Sequence, residues 1–126
     1  MNFTIIKLLF KFLFNSNSHK LFHIQLRLLL ECNKKKIRFL RKFFQNRIFY
    51  NYNCDIDHYS KIHNSTKFGH PIGIVIGSNV IIEENCSIYQ GVTLGANFMK
   101  NNDMPHIKKD TIISAGAKII GGGNHR

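Results

Sequence analysis

From Ile56 to Ile119 the chain repeats a pattern of six residues in which two positions are filled in a regular way. The first position holds a large aliphatic or aromatic residue, and a small residue follows most of these four positions later. The large residues are Ile56, Ile62, Phe68, Ile76, Ile82, Ile88, Leu94, Ile107, Ile113 and Ile119. The small residues are Ser60, Thr66, Val80, Cys86, Val92, Thr111 and Ala117.

This period fits neither an α-helix nor a half-buried pleated strand. An amphipathic helix needs apolar residues at i, i+3, i+4 and i+7, and a half-buried strand alternates apolar and polar residues strictly. A hexapeptide with one large and one small inward residue is typical of a parallel β-helix, in which each repeat supplies a short strand and a corner. We therefore predict a mainly β fold in which three repeats form a coil and the large residues stack as a continuous core.

The charge of the chain is concentrated before the repeat. Residues 1–50 hold eleven Lys or Arg and one acid, Glu31, whereas residues 51–126 hold seven Lys or Arg and six acids. Helical spacing of apolar residues predicts helices over residues 3–14, 19–31 and 34 to about 50, with a break at residues 15–18. The sequence thus predicts a basic helical segment, 1–50, and a β-helix domain, 51–126.

The basic segment leaves two interpretations of its charge open. Its cations either are solvated on a helical packing domain or bind the surface of an anionic membrane. We expect no nucleic-acid partner, because no recognised binding motif interleaves with the cations. No run approaches the roughly 20 apolar residues of a membrane span. The three widely spaced cysteines, Cys32, Cys54 and Cys86, favour free thiols and a cytoplasmic location, extending to the inner face of the membrane if the cations bind lipid.

Two breaks interrupt the repeat, and breaks of this kind commonly carry the ligand contacts of solenoid proteins. Phe68 and Ile76 are eight residues apart instead of six, so two residues must bulge from the wall, and His70 lies in this bulge. Between Leu94 and Ile107 runs a polar segment that is too long for a corner. We predict that it forms an excursion loop.

Three segments of the repeat are similar to motifs of one enzyme family. They are Gly69-His-Pro-Ile-Gly-Ile-Val-Ile-Gly77, Ser87-Ile-Tyr-Gln-Gly-Val-Thr-Leu-Gly95 and Ser114-Ala-Gly-Ala-Lys-Ile-Ile-Gly121. In this order, and over roughly residues 55–121, they resemble the serine acetyltransferase branch of the hexapeptide-repeat acyltransferases. The resemblance implies a left-handed β-helix preceded by helices, and a homotrimer or a higher multiple of it with active sites between neighbouring subunits. It also implies transfer of an acetyl group from acetyl-CoA to a hydroxyl.

The resemblance assigns two catalytic residues. His70 matches the family's catalytic histidine, and an alcohol needs such a base to take its proton while the oxygen attacks the thioester. Asp55 matches the family's partner aspartate, which would orient the imidazole and stabilise its charged form. The two are fifteen residues apart, and the bulge can bring them together in an eighteen-residue coil.

The resemblance also indicates contacts to acetyl-CoA, which is expected as a co-substrate, with no metal. Gly95, Ala96 and Ala115 match positions that line the pantetheine arm, and Lys118 would attract the phosphates. An alternative is that the glycines are plain corner residues and that Lys118 is simply solvated.

The acceptor positions depart from the family pattern. Enzymes that acetylate serine carry an acid directly before the catalytic histidine and an Arg-His pair before the proline that re-enters the β-helix. Here these positions hold Gly69, Asp103 and Met104, and His106 lies two residues beyond the expected histidine. Serine and a sugar hydroxyl of a surface polysaccharide therefore both remain candidate acceptors.

The repeat stops at Gly121, whereas family members continue for further coils. The sequence-based expectation is a β-helix truncated at its C-terminus. The rival to an enzyme is accordingly an inactive β-helix fragment that only associates with itself.

Overall fold

Three helices precede a series of short strands. The computed structural model describes residues 3–96 and 103–122, together with the backbone of residues 124 and 125. The helices are α1 (Phe3–Phe14), α2 (Ser18–Lys34) and α3 (Arg38–Tyr52). The strands in the described part of the chain are β1 (Asp55–Ile56), β2 (Lys61–Ile62), β3 (Lys67–Phe68), β4 (Val75–Ile76), β5 (Ile81–Ile82), β6 (Ser87–Ile88), β7 (Thr93–Gly95), β8 (His106–Ile107), β9 (Ile112–Ile113), β10 (Lys118–Ile120) and β11 (Asn124–His125).

All strand pairs are parallel and join successive turns of one coil. Strands β1, β4, β7 and β10 form sheet A; β2, β5, β8 and β11 form sheet B; and β3, β6 and β9 form sheet C. Each turn contributes one strand to each sheet in the order A, B, C, so the chain completes three turns and begins a fourth. This arrangement confirms the predicted parallel β-helix.

The large residues of the repeat stack in register inside the coil. In sheet A, Ile76 pairs with Ile56 on one side and with Leu94 on the other, and Ile119 follows. Nine of the ten large residues are buried and Ile119 is half-buried. The small residues at the corners are buried as well, except Ala117, which is half-buried. The two inward positions of the hexapeptide thus form the core that the sequence predicts.

The helices match the predicted ones, but the third begins four residues later than expected. Lys36 takes a left-handed conformation with φ 58°, and the N–H of Ile37 donates to the carbonyl of Cys32 at 2.9 Å. These features end α2 in a turn before α3 can begin at Arg38. At its other end α2 starts at Ser18, because the side chain of Asn17 caps it by accepting from the N–H of Lys20 at 3.1 Å.

The helices pack on the first turn of the β-helix through aromatic and polar contacts. The Phe22 ring lies 5.1 Å from the Phe68 ring of β3 and 5.1 Å from the Tyr52 ring at the end of α3. Gln25, which is buried, donates to the Tyr52 hydroxyl at 3.2 Å and accepts from Arg47 at 2.8 Å. These contacts fix the end of α3 against the start of the β-helix.

We expect the inward residues of sheet C to contribute more to the stability of the β-helix than the outward ones. Ile88 is fully buried between Phe68 and Ile113, whereas its neighbour Ile112 in the same sheet is 70% exposed. Ile88→Ala should lower the free energy of unfolding by about 2–5 kcal/mol, because it removes buried methyl groups and leaves a cavity. Ile112→Ala is the matched control and should change it by no more than about 0.5 kcal/mol. Equal losses of unfolding free energy for the two variants, measured by chemical denaturation, would show that Ile88 is no more important to the core than Ile112.

Candidate active site

A ladder of glycines forms the corner that joins sheet C to sheet A. Gly73, Gly91 and Gly116 occupy it on successive turns, with φ of 65°, 71° and 75°. A Cβ on Gly73 would lie 3.9 Å from the Cα of Gly91, and one on Gly91 would lie 3.7 Å from the Cα of Gly116. Glycine adopts this left-handed backbone without steric cost, so the corner stays narrow and smooth. We refer to it below as the glycine corner.

His70 lies at the first level of the glycine corner, in the bulge predicted from the repeat. The N–H of Ile72 donates to the His70 carbonyl at 2.8 Å, and the N–H of Gly73 donates to the Tyr52 carbonyl at 3.3 Å. The end of α3 therefore fixes the bulge, while the His70 side chain stays exposed. His70 borders a cavity of about 450 Å³ between the bulge and the helices.

Asp55 lies at the edge where sheet A begins. Its N–H donates to the carbonyl of Ile74 at 2.9 Å, and its Cα pairs with that of Val75, directly after the His70 bulge. Its side chain points outward and is exposed. The fold thus brings Asp55 and His70 to one edge of the β-helix. Among the described residues neither side chain is engaged in a hydrogen bond or ion pair, so their pairing stays a prediction.

The Tyr89 ring leaves no room for a side chain at position 69. A Cβ on Gly69 would lie 2.6 Å from Cε1 of Tyr89, much closer than real Cβ contacts allow. Tyr89 belongs to the next turn and is partly exposed at 38%. At the position directly before His70, the Tyr89 ring therefore occupies the space that a side chain would need.

The residues predicted to contact acetyl-CoA flank sheet A. Ala115 is exposed at the glycine corner, two turns beyond the His70 bulge, and Lys118 is exposed at the start of β10. Gly95 and Ala96 lie at the opposite edge of the sheet, where the N–H of Gly121 donates to the Gly95 carbonyl at 2.8 Å. A Cβ on Gly95 would meet the Ile120 side chain only at 3.8 Å, so packing within this chain does not require glycine there.

Asp103 and Met104 lie at the edge between sheets A and B, where the predicted excursion loop returns. The Met104 methyl group lies 2.6 Å from the place of a Cβ on Gly77, and Asp103 lies against Gly122 in the same way. Residues 97–102 of the loop lie outside the described residues. Within one chain, sheet A separates these two candidate acceptor residues from His70.

His106 lies in a charged cluster on sheet B. Its Nε2 is 2.5 Å from Oε2 of Glu83, and the same oxygen lies 3.5 Å from the Lys108 ammonium. The other carboxylate oxygen of Glu83, Oε1, accepts the Lys109 N–H at 3.2 Å. Partial burial alone would raise the pKa of Glu83, but the hydrogen bonds from His106 and Lys109 and the Lys108 charge lower it below its usual value. Glu83 therefore stays ionised and holds the His106 ring in place.

No sequence pattern indicated the helical residues that line the cavity beside His70. The lining consists of Ser18, His19, Tyr50, Asn51, Tyr52, Asn53, His70, Pro71 and Ile72. Most come from the start of α2 and the end of α3, outside the six-residue repeat. The run Tyr50–Asn53 precedes the β-helix directly, but only the docking of the helices brings it to the bulge.

Comparisons with known proteins extend these observations, although no family model matches the chain. A serine acetyltransferase of Haemophilus influenzae is 40% identical over 83 residues, which are 65% of this chain and 31% of the relative. One of Escherichia coli is 39% identical over 85 residues, covering 67% of this chain and 31% of the relative. The chain therefore spans about a third of the length of these relatives.

Solved structures match both the helices and the β-helix. A truncated serine acetyltransferase apoenzyme superposes with a TM-score of 0.75 and 30% identity, over 90% of this chain and 48% of that one. A serine acetyltransferase in complex with CoA superposes with a TM-score of 0.74 and 30% identity, over 90% of this chain and 47% of that one. The serine acetyltransferase of Brucella abortus is 22% identical and superposes with a TM-score of 0.73, over 96% of this chain and 55% of that one. At this identity the match supports the fold alone.

The coiled sheets and the preceding helices place the chain in the structural class of hexapeptide-repeat proteins with a left-handed β-helix, as in the matched structures. Within that class the chain is a homologue of the serine acetyltransferases. The predicted fold and the predicted resemblance are thereby confirmed.

The contact between Gly69 and Tyr89 is testable by a double-mutant cycle. Gly69→Ala should lower the free energy of unfolding by about 1–3 kcal/mol, because the new methyl group must displace the Tyr89 ring. In a Tyr89→Ala background the same substitution should cost clearly less. Equal costs in both backgrounds, measured by chemical denaturation, would show that Tyr89 does not restrict position 69.

Proposed function

We propose that this chain transfers an acetyl group from acetyl-CoA to a hydroxyl, with His70 as the general base. The observation that carries the proposal is the position of His70: it is exposed on a bulge fixed by α3, at the edge where Asp55 begins sheet A. A histidine that is exposed, yet held on a rigid backbone, can reach a bound hydroxyl. The 40% identity to a serine acetyltransferase over 83 residues supports the same chemistry.

The reaction follows from what each group can do. The His70 imidazole takes the acceptor's proton while the hydroxyl oxygen attacks the thioester carbonyl, forming a tetrahedral intermediate. As the intermediate collapses, the carbon–sulfur bond breaks and the imidazolium returns the proton to the departing CoA sulfur. The Asp55 carboxylate stabilises the imidazolium and fixes the tautomer of the neutral ring.

Acetyl-CoA is supported as donor by the matched serine acetyltransferase structure that contains CoA. We propose that Gly95, Ala96 and Ala115 give the pantetheine arm close access to the backbone, and that the exposed Lys118 attracts the phosphates. These residues flank sheet A, so the donor would lie along its outer face. No metal is part of this chemistry.

We further propose that two neighbouring copies of the chain complete the site in a homotrimer. The support is that His70 lies at the glycine corner, whereas Asp103 and Met104 lie across sheet A at another edge. A second copy placed against the first can bring one chain's corner to the other chain's loop.

Three free, buried cysteines suit a cytoplasmic location, and burial raises the pKa of Cys32 and Cys54, which keeps these thiols protonated.

For the acceptor, a serine-type hydroxyl is the first candidate, because the relatives are named serine acetyltransferases. A sugar hydroxyl is the second. In its favour, the described residues that line the cavity at His70 include hydroxyl, amide and aromatic groups but no acid that could bind an amino group. A neutral polyhydroxyl compound fits that lining without unpaired charge.

His70→Ala should lower acetyl transfer by about 10²–10⁴-fold, because the hydroxyl loses its base, while CoA binding measured by calorimetry stays unchanged. Asp55→Asn should lower the rate less, since the base remains. The matched control is His63→Ala: His63 is also exposed, but it lies at another corner and contacts Ser65 at 2.8 Å. Turnover of acetyl-CoA by His70→Ala at the parent's rate would refute the assignment.

Even if serine is the natural acceptor, the unmodified chain should use it poorly, because Gly69, Asp103 and Met104 replace the acid and the Arg-His pair that the family pattern provides for its charged groups. Asp103→Arg combined with Met104→His should improve serine acetylation more than it improves transfer to any sugar, by lowering the KM for serine. Melting temperatures of parent and variant would control for folding. Efficient serine acetylation by the parent, with a low KM for serine, would contradict this prediction.

A further inference from the structure

The outer face of α1 carries a continuous apolar stripe that the rest of the described chain leaves uncovered. The exposed fractions are 78% for Phe3, 41% for Ile6, 62% for Phe10, 69% for Leu13 and 79% for Phe14. The Phe10 and Phe14 rings stack with their centroids 6.0 Å apart. An exposed apolar patch of this kind usually marks a binding surface.

The exposed stripe is distinct from the face of α1 that packs against the protein, because other apolar residues of α1 form that inner face. Ile5 is fully buried, and Leu8, Leu9 and Phe12 pack against the core. At about 100° per residue, the inner residues lie on one side of α1 and the exposed apolar residues occupy the next arc, roughly 100° wide. The helix α1 thus has two apolar faces: one packs against the protein core and the other is exposed.

Lysines border the exposed stripe along one side. Lys7 and Lys11 are exposed and one helical turn apart, directly beside Phe3, Phe10 and Phe14 on the helix surface. An apolar stripe edged by cations is the pattern of helices that lie in the interface of an anionic bilayer, with the apolar side chains among the acyl chains and the lysines at the headgroups.

The charge of the whole helical segment agrees with an anionic partner. Neither α1 nor α3 contains an acid, and the single acid of residues 1–50, Glu31 on α2, is already engaged by Arg27 at 2.9 Å and Lys34 at 3.6 Å. On α3, Phe39 and Phe43 are exposed beside the exposed Lys42. Aromatic side chains and unneutralised cations therefore occur together on both helices.

The same charges disfavour a second copy of the chain as occupant. Pairing two α1 stripes would bring four lysines together, and α1 contains no acid to offset them. None of the described helices is long and apolar enough to cross a membrane. The 12 residues of α1 extend about 18 Å, less than the roughly 30 Å of a hydrocarbon core.

We propose that α1 is an interfacial helix that holds this protein on the surface of an anionic lipid bilayer, with Phe10, Leu13 and Phe14 inserted and Lys7 and Lys11 at the headgroups. The proposal is independent of the acetyl-transfer site, which none of these residues lines.

The test is co-sedimentation of the full chain with vesicles of phosphatidylglycerol and phosphatidylcholine in equal parts, and with vesicles of phosphatidylcholine alone. The parent should bind the anionic vesicles more tightly, and increasing salt should weaken this binding. Phe10→Ser combined with Leu13→Ser should lower partitioning at least about tenfold, because two inserted side chains are lost. Lys7→Glu combined with Lys11→Glu should lower it by about 10- to 100-fold on anionic vesicles and little on neutral ones.

The matched control is Lys61→Glu combined with Lys67→Glu, which makes the same charge change at exposed lysines of the β-helix and should bind like the parent. Acetyl transfer to a soluble acceptor should be unchanged in all of these variants, which separates membrane binding from catalysis. The proposal is overturned if the α1 variants bind like the parent, or if the control loses as much as Lys7→Glu with Lys11→Glu. It is also overturned if the Phe10 and Leu13 variant only reduces the oligomer size measured by light scattering, since a second copy would then cover the stripe.

Discussion

The stacking of each coil on the next is the interaction on which the rest of this structure depends. Most strands are only two residues long, and a pair of such strands has little stability by itself. Each strand is stabilised by its parallel neighbours in the turns before and after, and by a large buried residue that packs on those of the neighbouring turns. Ile76, for example, lies in register with Ile56 on one side and Leu94 on the other. Because the register is fixed, the place of every outward side chain along the edges is fixed too.

The candidate site exists because the stacking tolerates extra residues between strands. Phe68 pairs with Ile88 before the first break, and Ile76 pairs with Leu94 after it, so the core continues on both sides. The additional residues must leave the wall, and His70 becomes exposed without any change in the buried column. After the second break Ile107 returns to its place beside Ile82, so the core continues there as well. Polar chemistry is thereby added at the edges of an unchanged apolar core.

The helical segment and the β-helix contribute different chemistry but share one contact region. The Phe22 and Tyr52 rings meet at the first turn of the coil, and the Tyr52 carbonyl fixes the bulge through Gly73. The inner faces of the helices thus support the candidate site, while the outer face of α1 carries the exposed apolar stripe and its lysines. The two purposes are separable because they use different helices: α2 and α3 contact the bulge and the first turn of the coil, whereas α1 packs against α2 and leaves its other face exposed.

Periodicity by itself determined the β-helix, its inward residues and the two breaks, because whether a side chain faces inward or outward recurs every six residues whatever its neighbours are. The resemblance of three motifs added the handedness and the candidate roles of His70 and Asp55, and the comparisons confirmed the handedness. The start of α3 was misplaced, because the left-handed turn at Lys36 leaves no periodic signal.

Only the tertiary structure decided which side chains meet across turns. It placed the Tyr89 ring over Gly69, the Met104 methyl group over Gly77, and His106 beside Glu83. It also brought Tyr50 and Asn53 to the cavity at His70 and left the α1 stripe uncovered. Such contacts join residues that are far apart in sequence, and they depend on how the extra residues of each break fold and how the helices dock. A local repeat records the direction of a side chain, but the identity of its neighbour is set only when the coils and helices pack.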